Sequence, residues 1–247
     1  MSEDRTSGTD AARRARIAWH AAADEAAWVG EAADAIAAAL RSVLAAAPTA
    51  QLLLSGGTTP APVYRALATR ALEWARIVIG LVDDRDVDEN ADGSNARLVR
   101  ETVLQGAAAA ARFEPLRLAG HTLTDAVDAA NARWSAAPAH CVVVFGMGDD
   151  GHTASLFPGA RNLDAAFASG DAYVFIDATG CAVAGAYAHR ISLSPHAFAG
   201  TQRLLLIRGA GKRAVFESAL AAGAERDMPV RAAIDAAGTP LQVYWAP

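Results

Sequence analysis

The sequence predicts an α/β fold in which a mostly parallel sheet carries helices on both faces. Short apolar runs alternate with helical patterns along the chain. The runs are nearly continuous in Val, Ile and Leu, as strands covered on both sides require. Clusters of glycine, hydroxyl, acid and base follow four of these runs, where the carboxyl ends of parallel strands would gather them.

Each element follows from its local pattern. A weak strand pattern at 16–20 precedes an alanine-rich helix over 24–47. QLLL at 51–54 reads as a strand, and SGGTTP then opens a helix over 60–69, with Pro60 suited to its first turn. IVIGLV at 77–82 is the next strand. The polar stretch DDRDVDENADGSN separates it from a helix over 95–104. A helix over 123–136 leads to the strand CVVVF at 141–145. Strands at 173–176, 204–207 and 241–245, with a helix over 212–222, complete the alternation. No linker rich in Gly, Pro or Ser divides the chain. One domain is therefore expected over residues 11–247, behind a polar tail at 1–10.

Composition excludes several function classes. The 247 residues carry a net charge of −5, with 53% hydrophobic and 20% charged residues, which fits a soluble globular protein. No basic stripe marks a nucleic-acid partner. No apolar stretch reaches membrane-spanning length, and no h-region follows the start, so a cytoplasmic protein is expected. Cys141 and Cys181 are too far apart in sequence for a C-x-x-C pair and give no disulfide framework. The six histidines are scattered, so neither a metal nor another cofactor is expected. The expected partner is a small molecule, bound by a monomer.

The most informative segment is VVVFGMGDDGHTASLFPG, from 142 to 159. Its core, Gly146-Met147-Gly148-Asp149-Asp150-Gly151, satisfies G-x-G-x-x-G. A dinucleotide reading also demands a pyrophosphate-friendly loop and a long helix after it. Asp149 and Asp150 oppose an anion, and Pro158 cuts any helix short. Glycines also let backbone amides approach other ligands. His152 is then expected at a helix start, where the dipole favours the neutral imidazole that a general base needs. An isolated histidine would read as a cap or core residue. The glycine loop and the neighbouring Thr153 and Ser155 favour catalysis instead.

The other strand ends supply complementary groups. Ser55-Gly56-Gly57-Thr58 before Pro60 reads as a phosphate cradle at a helix N-terminus, or as an ordinary strand–helix turn. Lys212 after GAG and Arg190 in HRISL are each common surface cations, but with that turn they would complete an anion site. Asp83-Asp84-Arg85 reads as a salt-bridged loop, or as a pair in which Asp83 aims Arg85 at a carbonyl or carboxylate oxygen. Asn95 reads as a helix cap that could also close over a ligand. No G-x-S-x-G elbow is present. A neutral base, a cationic pocket and a phosphate cradle suit water attack on the carbonyl of a phosphorylated sugar.

These motifs resemble those of the glucosamine-6-phosphate isomerase/6-phosphogluconolactonase family, on its lactonase side. SGGTTP, DDRDV with GSN, GMGDDGHTASLFPG, RISL and GAGK occur in the family's order over residues 55 to 212, and the end LQVYWAP fits its closing strand. The resemblance implies a Rossmann-like fold of the glucosamine-6-phosphate deaminase/ribose-5-phosphate isomerase type. It implies hydrolysis of 6-phospho-D-glucono-1,5-lactone without a metal. By position, His152 resembles the family's general base and Arg85, oriented by Asp83, its active-site arginine. Ser55, Gly56, Gly57, Thr58, Asn95, Gly148, Arg190 and Lys212 would line the substrate and its phosphate. Asp84, Asp88, Gly93 and Ser192 depart from the usual residues, and Asp88 and Gly93 bear on the loop from 86 to 94. An isomerase or deaminase on the same fold, or a non-catalytic sugar-phosphate binder, would share the phosphate turn but would not need the full histidine motif.

Overall fold

The computed structural model describes residues 10–134 and 140–247. The tail expected at 1–10 and the last residues of the helix expected over 123–136 fall outside these, apart from Asp10. Ten strands and eight helices are described. After a short helix α1 (10–14) come β1 (Ile17–Ala21), α2 (Glu25–Ala46), β2 (Ala50–Leu54), α3 (Ala61–Ala68), β3 (Ile77–Leu81) and β4 (Asp83–Arg85). They are followed by α4 (Asn95–Thr102), β5 (Arg112–Phe113), α5 (Leu123–Arg133), β6 (Cys141–Phe145) and α6 (Leu163–Ala168). The remainder is β7 (Tyr173–Asp177), β8 (His189–Leu193), β9 (Gln202–Arg208), α7 (Gly209–Leu220), α8 (Val230–Asp235) and β10 (Leu241–Ala246).

Seven strands form one sheet in the order β1-β10-β9-β6-β2-β3-β5, and every pairing in it is parallel. The chain winds outward from β2 through β3 to β5, then returns to the other side of β2 with β6 and continues through β9 to β10. The strand order therefore reverses between β2 and β6, and a crevice opens at such a point beyond the carboxyl ends. β6 is buried at every position, as its unbroken apolar run predicts. α2 packs Trp28, Ile36 and Leu40 into the core, and Trp28 Nε1 donates to Tyr244 O at 2.9 Å.

The strand expected at 173–176 is present but does not join the parallel sheet. It lies in a separate antiparallel sheet, β4-β8-β7. The chain leaves the main sheet at Val82, whose amide still bonds Leu54 O while its carbonyl accepts from Leu193 N of β8. Asp83–Arg85 thus forms a strand where the sequence suggested a loop. Among the described residues no helix is long and apolar enough to cross a membrane.

Candidate active site

Every site residue expected from the sequence lines one cavity of about 320 Å³ at the crevice between β2 and β6. The loops after β2, β3, β6 and β9 each reach it, and the second sheet supplies Arg190.

The turn after β2 is built as an anion cradle. Gly57 takes φ +95°, a conformation open to glycine. Among the described residues, the amides of Gly56, Gly57, Thr58 and Thr59 have no hydrogen-bond partner, and they precede α3. Tyr64 OH anchors the turn from below by donating to Ser55 O at 2.9 Å. Asn95 does not arch over the cavity. It is 3% exposed, and its Nδ2 donates to Asp83 O at 2.8 Å. A Cβ at Gly56 would lie 1.8 Å from Asn95 Oδ1, so the asparagine packs directly beneath the turn.

The histidine loop differs from expectation in one respect. No helix follows it; the residues from 152 to 157 form a tight turn closed by a Thr153–Leu156 bridge. Asp150, not a helix dipole, fixes the tautomer of His152. Its Oδ1 lies 2.6 Å from His152 Nδ1 and also accepts from the His152 amide at 3.1 Å. Burial alone would raise the Asp150 carboxyl. The hydrogen bond and charge of His152 outweigh burial and hold it below the ordinary carboxylate range. An ionised carboxylate only accepts, so Nδ1 carries the proton. Among the described residues Nε2 has no hydrogen-bond partner, which leaves its lone pair for chemistry.

Gly148 makes room for this arrangement, since a Cβ there would lie 2.1 Å from His152 Nδ1. Its amide is not free for a ligand, because it donates to His152 O at 2.9 Å. Ala154 holds φ +51°, the single positive value at a non-glycine among the described residues. Such strain persists where its surroundings over-determine it. Here Thr153 Oγ1 donates to Gly146 O at 2.8 Å, Ser155 N to Ser192 Oγ at 3.1 Å and Ser155 Oγ to Asp83 Oδ2 at 2.5 Å.

That last bond corrects the expected role of Asp83. It does not aim Arg85; it ties β4 to the histidine loop. Arg85 Nη1 instead donates to Gly93 O at 2.5 Å. Asp84 organises the same loop from within the protein, accepting from the amides of Arg85 and Asn95 at 2.8 Å each. Burial pushes its carboxyl up to about 6 despite those bonds.

β4 and β8 place Arg85 directly opposite Arg190. Like charges in such a pair repel, so the pairing favours an anion between or beside them. Arg190 is 4% exposed and stacks on Phe157, with Cζ 5.2 Å from the ring centroid. Its Nε and Nη2 donate to Tyr187 O at 2.6 Å and Ala184 O at 3.0 Å. Burial depresses this guanidinium below its ordinary value, which the Asp83 charge opposes and the Arg85 charge adds to. Lys212 sits in the first turn of α7, lines the cavity and meets Asp149 Oδ1 at 2.8 Å.

The sequence reading passed over Asp150 as the partner of His152, although the D-x-H spacing was visible. It also passed over Phe157, whose ring packs 4.5 Å from the His152 ring, and Arg208, which lines the cavity while paired with Glu25.

The model of the glucosamine-6-phosphate isomerases/6-phosphogluconolactonase family matches residues 23–245. The chain belongs to this family. A 6-phosphogluconolactonase of Xylella fastidiosa (strain Temecula1) is 49% identical over 79% of this chain and 82% of its own. Another, of Pseudomonas aeruginosa, is 40% identical over 93% of each chain. The crystal structure of a 6-phosphogluconolactonase from Shewanella baltica superimposes with a TM-score of 0.86 at 33% identity, covering 94% of this chain and 98% of that one. A monomeric glucosamine-6-phosphate deaminase shares the fold, with a TM-score of 0.74 at 17% identity, and covers 93% of this chain and 94% of its own.

Proposed function

We propose that this protein hydrolyses 6-phospho-D-glucono-1,5-lactone to 6-phospho-D-gluconate, with His152 as general base. The observation that carries the reading is the Asp150–His152 hydrogen bond, with His152 lining a cavity furnished with free amides and four cations. Relatives named for this activity align over most of the chain, and the motifs that supply the cavity fall inside the matched region.

In this mechanism the cradle from Ser55 to Thr58, with Arg190 and Lys212, holds the phosphate. Asn95 and Gly148 shape the walls. The lactone carbonyl then lies near His152 and Arg85. His152 Nε2 takes a proton from water as the water oxygen attacks the carbonyl carbon. The carbonyl π pair moves to oxygen, and the Arg85 guanidinium stabilises the resulting charge. When the tetrahedral adduct collapses, the bond to the ring oxygen breaks. The histidinium returns its proton to that oxygen, leaving an open-chain acid. Asp150 stabilises the transient imidazolium and keeps the productive tautomer throughout.

The test follows acid release from freshly generated 6-phosphogluconolactone against the spontaneous background. The protein should accelerate it, and His152→Gln should reduce turnover by ~10²–10⁴. Parent turnover of glucosamine 6-phosphate with release of ammonia, and none of the lactone, would move the protein to the deaminase side of its family.

A further inference from the structure

Two of the three large hydrophobic residues most exposed among those described, Val183 and Tyr187, lie on the segment that joins β7 to β8. Val183 lines the cavity. Tyr187 stands beside it and touches two of the cavity's arginines, Arg190 and Arg85, in different ways. Its carbonyl accepts from Arg190 Nε at 2.6 Å. Its ring lies over Arg85, with Cζ 5.8 Å from the centroid. The same ring covers Gly93, where a Cβ would come within 2.6 Å of Tyr187 Cζ and 2.8 Å of its hydroxyl oxygen. Gly93 in turn supplies the carbonyl that holds Arg85 Nη1.

We propose that Tyr187 is a positioning residue for Arg85, and that glycine stands at position 93 so that the Tyr187 ring can lie against the Arg85–Gly93 hydrogen bond. The inference rests on the lactonase reading above. Arg85 needs such a brace because Asp83 is turned to Ser155, so no carboxylate fixes the guanidinium from its own strand. Arg85 Nε is buried without a hydrogen-bond partner, which leaves the Gly93 carbonyl as its one protein acceptor among the described residues. An aromatic face supplies the missing restraint, since it attracts a guanidinium and limits its rotation. The ring also shields the Gly93 carbonyl from water, which would otherwise compete for it. Position 93 must then lack a side chain. The atoms that a Cβ would strike belong to the far end of the tyrosine, so the ring would swing aside rather than the backbone unfold.

The experiment compares Tyr187→Phe, Tyr187→Leu, Gly93→Ala and the double variant Gly93→Ala/Tyr187→Leu, by steady-state hydrolysis of the phosphorylated lactone and by thermal melting. Tyr187→Leu should lower kcat by about two- to fivefold, the scale of an exposed cation–π contact, with KM little changed because Arg85 acts on the developing charge. Tyr187→Phe keeps the ring and should restore most of the loss. Gly93→Ala should reproduce the kcat loss with little change in melting temperature, and the double variant should fall no further than either single change. Equal kcat for Phe and Leu, additive losses in the double variant, or an effect confined to KM or to melting would each overturn the assignment. If the parent hydrolyses no lactone, the activity reading fails on its own. The coupling of positions 93 and 187 is then read from crystal structures of the parent and of Gly93→Ala, in which the Tyr187 ring should lie over Arg85 in the first and stand aside in the second. A ring still lying over Arg85 in Gly93→Ala would overturn the brace.

Discussion

Asp150 Oδ1 lies 2.6 Å from His152 Nδ1, two residues along the same loop, and the same oxygen accepts from the His152 backbone amide. One carboxylate thus fixes both the ring and the peptide that carries it. The arrangement needs a loop that turns sharply, which Gly148 and Gly151 (φ +78°) provide. It explains an acid in a loop that faces an anionic substrate: Asp150 is directed at the histidine.

Asp150→Asn tests this relationship. The amide keeps the shape but can also donate, which stabilises the imidazole tautomer with its proton on Nε2. Turnover should fall by ~10² or more while KM changes little. A variant with kcat within a factor of a few of the parent would show that the pair has no role in proton transfer.

Gly148→Ala should separate space from hydrogen bonding. The new Cβ would sit 2.1 Å from His152 Nδ1 and 2.6 Å from Asp150 Oδ1. Both neighbours are side-chain atoms at the cavity, so the ring must move while the core stays packed. We expect a loss of turnover comparable to that of His152→Gln, with a melting temperature close to the parent's. Normal turnover would mean that the imidazole does not need its present position.

The site was legible in the sequence because its parts sit at strand ends, where turn chemistry is local. Gly56-Gly57 before Pro60, and the glycines around His152, announce themselves by residue type. The parallel sheet was legible for the same reason, since β2, β3, β6 and β9 each contain a continuous apolar stretch. Partnership was less so. Asp83 pairs with Ser155, 72 residues away, and no local pattern reports that contact. The antiparallel sheet escaped because β4 reads DDR, three charged residues that form a strand through backbone pairing with β8. The helix expected at His152 failed because Ala154 adopts positive φ and closes a turn instead.

Asp84 predicts a fall in stability with rising pH. Its carboxyl is raised to about 6 in the folded protein by burial, against an ordinary value of 3.8. Between those values the folded state holds a proton that the unfolded state has released. Stability from this group is therefore complete below about pH 4 and declines as pH rises through about 6. Asp84→Asn, which still offers an acceptor to the Asn95 and Arg85 amides, should flatten that part of the curve. Denaturant titrations from pH 4 to 7 give the comparison. An equally steep decline in the variant would mean that Asp84 is ionised throughout.

The last prediction concerns Lys212. Its partner Asp149 is 83% exposed at the side chain, so the ion pair contributes little to stability and is easily exchanged for a better anion. A phosphate seated on the free amides of Gly56 to Thr59 would offer that anion. Lys212 is a cleaner probe of the phosphate grip than Arg190, which also anchors the carbonyls of Tyr187 and Ala184 and would cost structure when removed. Lys212→Met should lower the specificity constant for the phosphorylated lactone by ~10- to 100-fold, the scale of a hydrogen bond to a charged group. Free gluconolactone, which lacks the phosphate, should lose far less. Asp149→Asn should act in the opposite sense, because it frees the ammonium without removing it, and should modestly tighten the phosphorylated substrate. Equal losses on the two lactones in Lys212→Met would place the ammonium at the reacting carbonyl, and the phosphate would then have to be held by the cradle and Arg190 alone.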